Sequence, residues 1–123
     1  MPRKKILLVD DSPTVLLMER MILAKNQYDV VEARDGQEGL ELARAEQPDL
    51  ILMDVVMPRL GGFDAVQRLR QEDLTRDIPV IMVSTRGELE SVESGYVSGC
   101  NDYVTKPIDV LELLTKVRNC LRQ

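Results

Sequence analysis

The stretch PDLILMDVVMPRLGG, residues 48–62, decides the fold that this sequence predicts. Its apolar run at 50–53, LILM, has no polar alternation, which is typical of a strand buried on both faces of a parallel sheet. Asp54 follows this run directly, and Pro58 and the glycine pair at 61–62 end the extended segment. Because a carboxylate at the end of a buried strand is costly to desolvate, we expect other segments to bring charged or polar partners to Asp54.

Apolar runs alternate with helical patterns five times along the chain, which predicts βα units. The predicted strands are Lys5–Val9, Asp29–Ala33, residues 50–53, residues 80–83 and Asp102–Thr105, and the predicted helices are Pro13–Lys25, 37–46, 62–71, 88–97 and 109–121. This order predicts an α/β fold, a doubly wound five-stranded parallel sheet with helices on both faces. The second strand alternates polar and apolar residues between charged flanks, so we expect it at an edge of the sheet.

The helices differ in how clearly they predict a buried face. The apolar rows at Phe63, Val66 and Leu69 and at Val110, Leu113, Leu114, Val117 and Leu121 predict core contacts. The first helix carries more apolar residues than one stripe requires, so it contacts the core deeply or also offers a surface to a partner. Gly95 weakens the helix predicted at 88–97, since an interior glycine costs about 1 kcal/mol relative to alanine.

Length and composition restrict the class of protein. With 123 residues, the chain is expected to form one domain, residues 1–123. A net charge of −5 disfavours direct binding to nucleic acid, and the absence of histidine excludes Ser-His and Cys-His nucleophile pairs. No apolar run or leader pattern predicts a membrane segment. Cys100 and Cys120 fit no metal-ligand spacing, so we expect two reduced thiols in a cytoplasmic protein.

Polar residues follow four of the predicted strands. Asp10 and Asp11 follow the first strand, Asp54 the third, Ser84 the fourth and Lys106 the fifth. In an open parallel sheet every strand points its carboxyl end at the same edge, where ligands bind at the reversal of strand order. The topology alone therefore brings three carboxylates, one hydroxyl and one ammonium group together.

The charges of this cluster indicate what it binds. Two carboxylates about 4 Å apart repel each other by roughly 4 kcal/mol at an effective dielectric constant of about 20. Lys106 offsets one negative charge, and a divalent cation would neutralise the other two. Oxygen ligands favour Mg²⁺, which prefers to share its coordination shell with a phosphate rather than enter a complete protein cage. The cluster therefore predicts Mg²⁺ and a phosphate.

Four motifs carry a resemblance to a known family. They are VDDS at 9–12, LMDVVMP at 52–58, VS at 83–84 and DYVTKP at 102–107, in register along the whole chain. With them the sequence resembles the receiver domain of bacterial two-component response regulators and is similar in layout to the single-domain chemotaxis regulators. The resemblance implies a flavodoxin-like (βα)5 fold with strand order 2-1-3-4-5.

The resemblance also implies roles for the clustered residues. Asp54 would accept a phosphoryl group from the phosphohistidine of a sensor histidine kinase or phosphotransfer protein, assisted by Ser84 and Lys106. Asp11, Asp54 and the backbone carbonyl of Val56 would bind Mg²⁺ directly, while Asp10 would act mainly through water. The protein would then be a phosphorylation-dependent switch that assists its own phosphotransfer and dephosphorylation, not an enzyme.

Switching would follow from the charge that phosphorylation adds. Ser84 and Lys106 would move inward, and the resemblance implies that Tyr103 then swings toward the core, although a purely structural tyrosine remains open. The face made by the helix at 88–97, the fifth strand and the last helix would change its affinity for an unknown output protein. The resemblance further implies a cis peptide bond between Lys106 and Pro107.

Several positions depart from the usual pattern of the family, among them Gly61, where an aspartate is common. Thr85 replaces a smaller residue and restricts access to the site, while Val56 and Arg86 flank the phosphoryl group. Since Val56 offers a water molecule no hydrogen bond and the bulk of Thr85 slows its access, we expect a longer-lived acyl phosphate than in a chemotaxis regulator.

Three other classes of protein compete with this interpretation. A phosphatase of the haloacid dehalogenase type would need a DxDxT motif after the first strand, and a flavodoxin-like cofactor-binding protein would need a Ser/Thr/Gly-rich phosphate loop after Val9. Neither is present. A receiver-like interaction module that works without phosphorylation remains the alternative.

Overall fold

The computed structural model describes residues 3–85 and 99–123, so the helix predicted at 88–97 and Arg86 lie outside the described residues. The strands are β1 (Lys5–Val9), β2 (Asp29–Ala33), β3 (Leu50–Asp54), β4 (Val80–Ser84) and β5 (Asp102–Thr105). The described helices are α1 (Pro13–Lys25), α2 (Gly36–Glu46), α3 (Gly62–Arg70) and α4 (Val110–Leu121). The predicted elements within these ranges are confirmed, with shifts of one residue at some ends.

The five strands form one parallel sheet in the order β2-β1-β3-β4-β5. The prediction of a doubly wound flavodoxin-like α/β fold is therefore confirmed, and so is the edge position of β2. β1 and β3 lie side by side although α1, β2 and α2 separate them in sequence. The reversal of strand order lies between these two strands, which is where ligands bind in such sheets.

Two hydrophobic cores cover the two faces of the sheet. One core packs α2 and α3 against the sheet through Leu40, Val66 and Leu69. The other packs α1 and α4 against the opposite face, with Leu16 and Leu113 among its buried side chains. β3 contributes alternate residues to the two cores, which explains why its sequence is apolar without interruption.

Side chains at the helix starts fix the points where strands turn into helices. The hydroxyl of Ser12 accepts from the amide of Val15 at 3.3 Å, and Pro13 occupies the first turn of α1. Asp109 caps α4 by accepting from the amide of Glu112 at 2.9 Å. These caps define where the chain leaves the carboxyl ends of β1 and β5.

The structure shows which apolar residues of α1 are buried and which are exposed, and it contradicts the core prediction for one residue of the last helix. Leu16 and Leu23 are buried, whereas Met21 is 63% exposed, so α1 offers both a core stripe and an exposed apolar surface. The prediction that Val110 belongs to the core is wrong, because half of this residue is exposed. Val110 is the first residue of α4, and the buried stripe of this helix begins one turn later at Leu113.

Both cysteines of the chain lie within the described residues. Cys100 and Cys120 are free and partly buried, and burial raises the pKa of both thiols. Neither thiol is therefore activated as a nucleophile.

Within 3–85 and 99–123, no helix is both long enough and apolar enough to cross a bilayer.

Candidate functional site

The carboxyl edge of the sheet collects the five side chains that the strand ends predicted. Asp10 follows β1 and Lys106 follows β5, whereas Asp54 and Ser84 are the last residues of β3 and β4 rather than the first beyond them. Asp10, Asp54 and Ser84 are buried, and Asp11 is exposed. The site is thus an acidic pocket with Asp11 on its solvent side.

Lys106 connects two of the carboxylates. Its Nζ lies 3.2 Å from Oδ1 of Asp54 and 3.4 Å from Oδ2 of Asp10, and its side chain is about one-fifth exposed, at 21%. Burial opposes the charged form of this lysine, but the carboxylates of Asp54 and Asp10 outweigh burial and raise the pKa of Lys106 above its ordinary value. The lysine is therefore cationic at neutral pH.

The three aspartates present oxygen atoms to one small volume. Asp10, Asp11 and Asp54 each offer a carboxylate oxygen, and these atoms lie within 4.8 Å of one another. One oxygen of Asp10, Oδ1, accepts from the amide of Ser12 at 2.9 Å. Its other oxygen, Oδ2, is buried and has no hydrogen-bond partner within the described part of the chain, although Lys106 lies within ion-pair distance. A hard divalent cation fits this set of oxygen donors.

The loop after β3 is held close to the site by its backbone. The amide of Val55 donates to Val83 at 3.2 Å, and the amide of Gly62 donates to Val55 at 2.9 Å. A Cβ atom on Gly62 would clash with the carbonyl oxygen of Asp54, so this close approach requires glycine. Val56 lies within the loop and is 61% exposed.

Ser84 has a hydroxyl group that can still form a hydrogen bond. Its Oγ is buried and has no partner among the described residues. The backbone oxygen of Ser84 accepts from the amide of Lys106 at 2.6 Å, which ties the ends of β4 and β5 together. The peptide bond between Lys106 and Pro107 is cis. A buried hydroxyl group thus lies at the end of the strand next to that of Asp54.

Glu19 is a buried ionisable residue of this region that the sequence pattern did not predict. It lies on the buried stripe of α1 and is 2% exposed. Burial, followed by repulsion from Asp10, raises the pKa of Glu19 from 4.5 to about 8. Its spacing of three residues from Leu16 and four from Leu23 places it on the buried face, but the apolar residues all around α1 conceal that face in the sequence.

The sequence model of the response regulator receiver domain matches residues 6–118. The chain belongs to this family. Receiver domains of two-component response regulators are phosphoacceptor signalling modules, that is, phosphorylation-dependent switches rather than conventional enzymes. As a family they bind Mg²⁺ at an acidic site and interact with histidine kinases or phosphotransfer proteins and with output partners.

Two curated relatives illustrate the range of this receiver family. The chain is 44% identical over 123 residues to the DNA-binding dual master transcriptional regulator RpaA of Synechocystis sp., and it covers 100% of the chain but 50% of RpaA. It is 42% identical over 117 residues to Protein PilH of Pseudomonas aeruginosa, covering 95% of the chain and 97% of PilH. The receiver thus spans about half of one relative and nearly all of the other.

Solved structures agree with the receiver fold. A putative response regulator from Chloroflexus aurantiacus has a TM-score of 0.94 and 33% identity, covering 98% of this chain and 99% of that one. The receiver domain of the sensor histidine kinase PA1611 from Pseudomonas aeruginosa has a TM-score of 0.91 and 28% identity, with 98% and 99% covered. That crystal structure contains a magnesium ion coordinated in the active site cleft.

Proposed function

We propose that Asp54 accepts a phosphoryl group from the phosphohistidine of a sensor histidine kinase or phosphotransfer protein. The observation that carries this proposal is the position of Asp54 between a cationic lysine and two further acids: Oδ1 of Asp54 lies 3.2 Å from Nζ of Lys106, in the three-aspartate cluster. A buried carboxylate paired with a lysine can act as a nucleophile in its ionised form, and that form needs no general base.

The chemistry needs positioning and charge stabilisation more than proton transfer. A carboxylate oxygen of Asp54 attacks the phosphorus, the phosphorus–nitrogen bond of the donor breaks, and the imidazole leaves with the bonding electron pair. Lys106 and the Ser84 hydroxyl donate to the oxygens of the transferring group. The same donors assist the later hydrolysis, in which a water molecule attacks the phosphorus and releases phosphate from Asp54.

Mg²⁺ is the cofactor that the donor set fits. Asp10, Asp11, Asp54 and the backbone carbonyl of Val56 would hold it, with Asp10 acting mainly through water. When bound, the ion supplies positive charge that stabilises the phosphoryl oxygens. Support for the ion comes from the oxygen chemistry of the site, the buried Oδ2 of Asp10 and the magnesium ion of the PA1611 receiver domain.

The switch follows from the new charge at Asp54. An acyl phosphate brings about two negative charges where the carboxylate had one, by analogy with phosphorylated hydroxyl groups. Ser84 and Lys106 move toward it, Tyr103 follows, and the face that includes β5 and α4 changes its affinity for an output protein. The predicted helix at 88–97, which would complete this face, lies outside the described residues.

The wider setting of the domain is also part of the proposal. We infer that residues 1–123 act as one receiver domain in the cytoplasm, where two free cysteines stay reduced. The net charge of −5 disfavours direct contact with nucleic acid, so the output passes through a protein partner. The alternative, an interaction module that works without phosphate, leaves the Lys106–Asp54 pair and the Ser84 hydroxyl without a purpose.

The test is phosphorylation by a small-molecule donor. Acetyl phosphate and MgCl₂ should add the mass of one phosphoryl group to the wild-type chain, and peptide mapping should place it on Asp54. Asp54→Asn should gain nothing, and chelation of Mg²⁺ should suppress the reaction in the wild type. Phosphorylation at another residue, or none at any donor concentration, would overturn the proposal.

A further inference from the structure

Tyr103 is held by a second lysine, Lys116, which lies on α4 and plays no part in the acidic pocket. Nζ of Lys116 donates to the backbone oxygen of Tyr103 at 2.6 Å and lies 4.9 Å from the centre of the tyrosine ring. One ammonium group thus binds both the backbone and the ring face of the same residue. A cation at this distance from an aromatic face is attracted to it.

Two acids keep the Lys116 ammonium group in place. Oδ1 of Asp102 and Oε1 of Glu112 each lie 3.7 Å from Nζ. Oδ1 of Asp102 also accepts from the amide of Tyr103 at 2.8 Å. Side chains therefore bond both backbone groups of Tyr103, and Lys116 contacts its ring as well.

The ring that Lys116 contacts is only partly buried. It packs against the hydrophobic core formed with α2 and α3, while Lys116 reaches it from α4 on the other face of the sheet. Within the described residues β5 pairs with β4 alone, so the lysine approaches around the edge of the sheet. The ring can leave this position only by giving up its contact with the cation.

Tyr103 is three residues from Lys106 on the same short segment. Lys106 pairs with Asp54, and its amide is bonded to Ser84 at the end of β4. A displacement of Lys106 toward a phosphorylated Asp54 therefore pulls on the segment whose other end Lys116 holds.

We propose that Lys116 is a positioning residue for the Tyr103 ring, holding it in the orientation of the unphosphorylated domain and so opposing the switch. This inference rests on the proposed function for its link to phosphorylation, but the contact between Lys116 and Tyr103 does not. Loss of an exposed cation–π contact should change the population ratio of the two ring orientations by about two- to fivefold.

The test uses the full chain labelled with 3-fluorotyrosine and ¹⁹F NMR. The chain has three tyrosines, so the resonance of Tyr103 is assigned with Tyr103→Phe. Lys116→Met removes the charge and keeps an unbranched side chain, Lys116→Arg keeps the charge, and Lys25→Met removes an exposed lysine at the end of α1 as a matched control.

We expect Lys116→Met to move the Tyr103 resonance of the unphosphorylated chain toward its position in wild type bound to beryllofluoride and Mg²⁺. Lys116→Arg and Lys25→Met should leave it close to wild type. Because the orientation of the Tyr103 ring and the binding of beryllofluoride are thermodynamically linked, each should affect the other equally. Lys116→Met should therefore lower the beryllofluoride concentration needed for half-saturation by about two- to fivefold.

A Tyr103 resonance unchanged in Lys116→Met, or moved equally in Lys25→Met, would overturn the inference. A wild type that shows no response to beryllofluoride, combined with a shifted resonance in Lys116→Met, would instead overturn the proposed function and leave the ring contact established. The two failures are therefore distinguishable.

Discussion

The ammonium group of Lys106 lies 3.2 Å from Oδ1 of Asp54, although 52 positions separate the two residues in sequence. The parallel sheet brings them together, because β3 and β5 both end at the same edge with β4 between them. This pair offsets part of the electrostatic repulsion within the acidic pocket when neither a metal ion nor a phosphate is bound.

Replacing Lys106 should therefore destabilise the protein when Mg²⁺ is absent. Lys106→Met leaves the buried carboxylates of Asp54 and Asp10 without their cation, at a cost of about 1–3 kcal/mol in the free energy of unfolding. Urea unfolding in EDTA measures this cost. Lys106→Arg, which keeps the charge, should lose less, and a Lys106→Met chain as stable as wild type would contradict the role of the pair.

Neutralising Asp11 should have the opposite effect on stability. Asp11 is exposed and lies near two other acids, so Asp11→Asn should stabilise the chain in EDTA by about 0.2–1 kcal/mol. Asp54→Asn should gain less, because it also removes a partner of Lys106. Thermal unfolding measures both variants.

The response to Mg²⁺ provides the control for this prediction. Mg²⁺ should raise the melting temperature of wild type, since a ligand that binds only the folded chain stabilises it. Asp11→Asn should lose most of that increase. Equal melting temperatures of wild type with and without Mg²⁺ would count against a metal site.

The strands and the pocket could be predicted because their signals are local and strong. The uninterrupted apolar runs that end in Asp10, Asp54 and Ser84 fix both the element type and its direction, and the parallel topology then brings the ends together. The same logic predicts that Lys106 joins the acids, but it does not predict that Lys106 bridges Asp54 and Asp10. The distances, and which acid is buried, depend on packing that the sequence does not encode locally.

The helices were less predictable because burial depends on partners distant in sequence. Val110 continues an apolar row, yet it lies at the start of α4, where the helix has not reached the core. Glu19 is the reverse case, a charged residue at a core position of α1. An apolar helix surface shows no clear face, so its one buried acid could not be identified from periodicity.

Glu19 should make the stability of the protein depend on pH. Burial and repulsion from Asp10 raise the pKa of Glu19 from 4.5 to about 8. Between these two pH values the folded chain therefore holds a proton that the unfolded chain has lost. Stability is then fully present below pH 4.5 and falls as pH rises toward 8. The predicted loss is on the order of 5 kcal/mol, and it stops above pH 8.

Glu19→Gln removes this titration while keeping a neutral side chain of the same size. Chemical denaturation between pH 5 and pH 8 should give a flatter profile for Glu19→Gln than for wild type, with the largest difference at pH 8. Glu41→Gln, at an exposed position of α2, is the matched control and should follow wild type. Parallel profiles for wild type and Glu19→Gln would refute the assignment.

The lifetime of the acyl phosphate should depend on Val56, which is 61% exposed in the loop beside Asp54. Its side chain cannot hydrogen-bond a water molecule, so we expect the wild-type acyl phosphate to outlast a half-life of seconds. Val56→Asn gives the water a partner and should shorten the half-life by about tenfold, less than the ~100-fold that a positioned acid or base typically provides. Phosphate-affinity gel electrophoresis after removal of the donor measures the decay.

The control is Leu74→Asn, which changes an apolar side chain of similar exposure, 64%, between α3 and β4. It should leave the half-life of the acyl phosphate unchanged. A wild-type half-life of only seconds, or equal decay in Val56→Asn and wild type, would show that access of water does not limit hydrolysis.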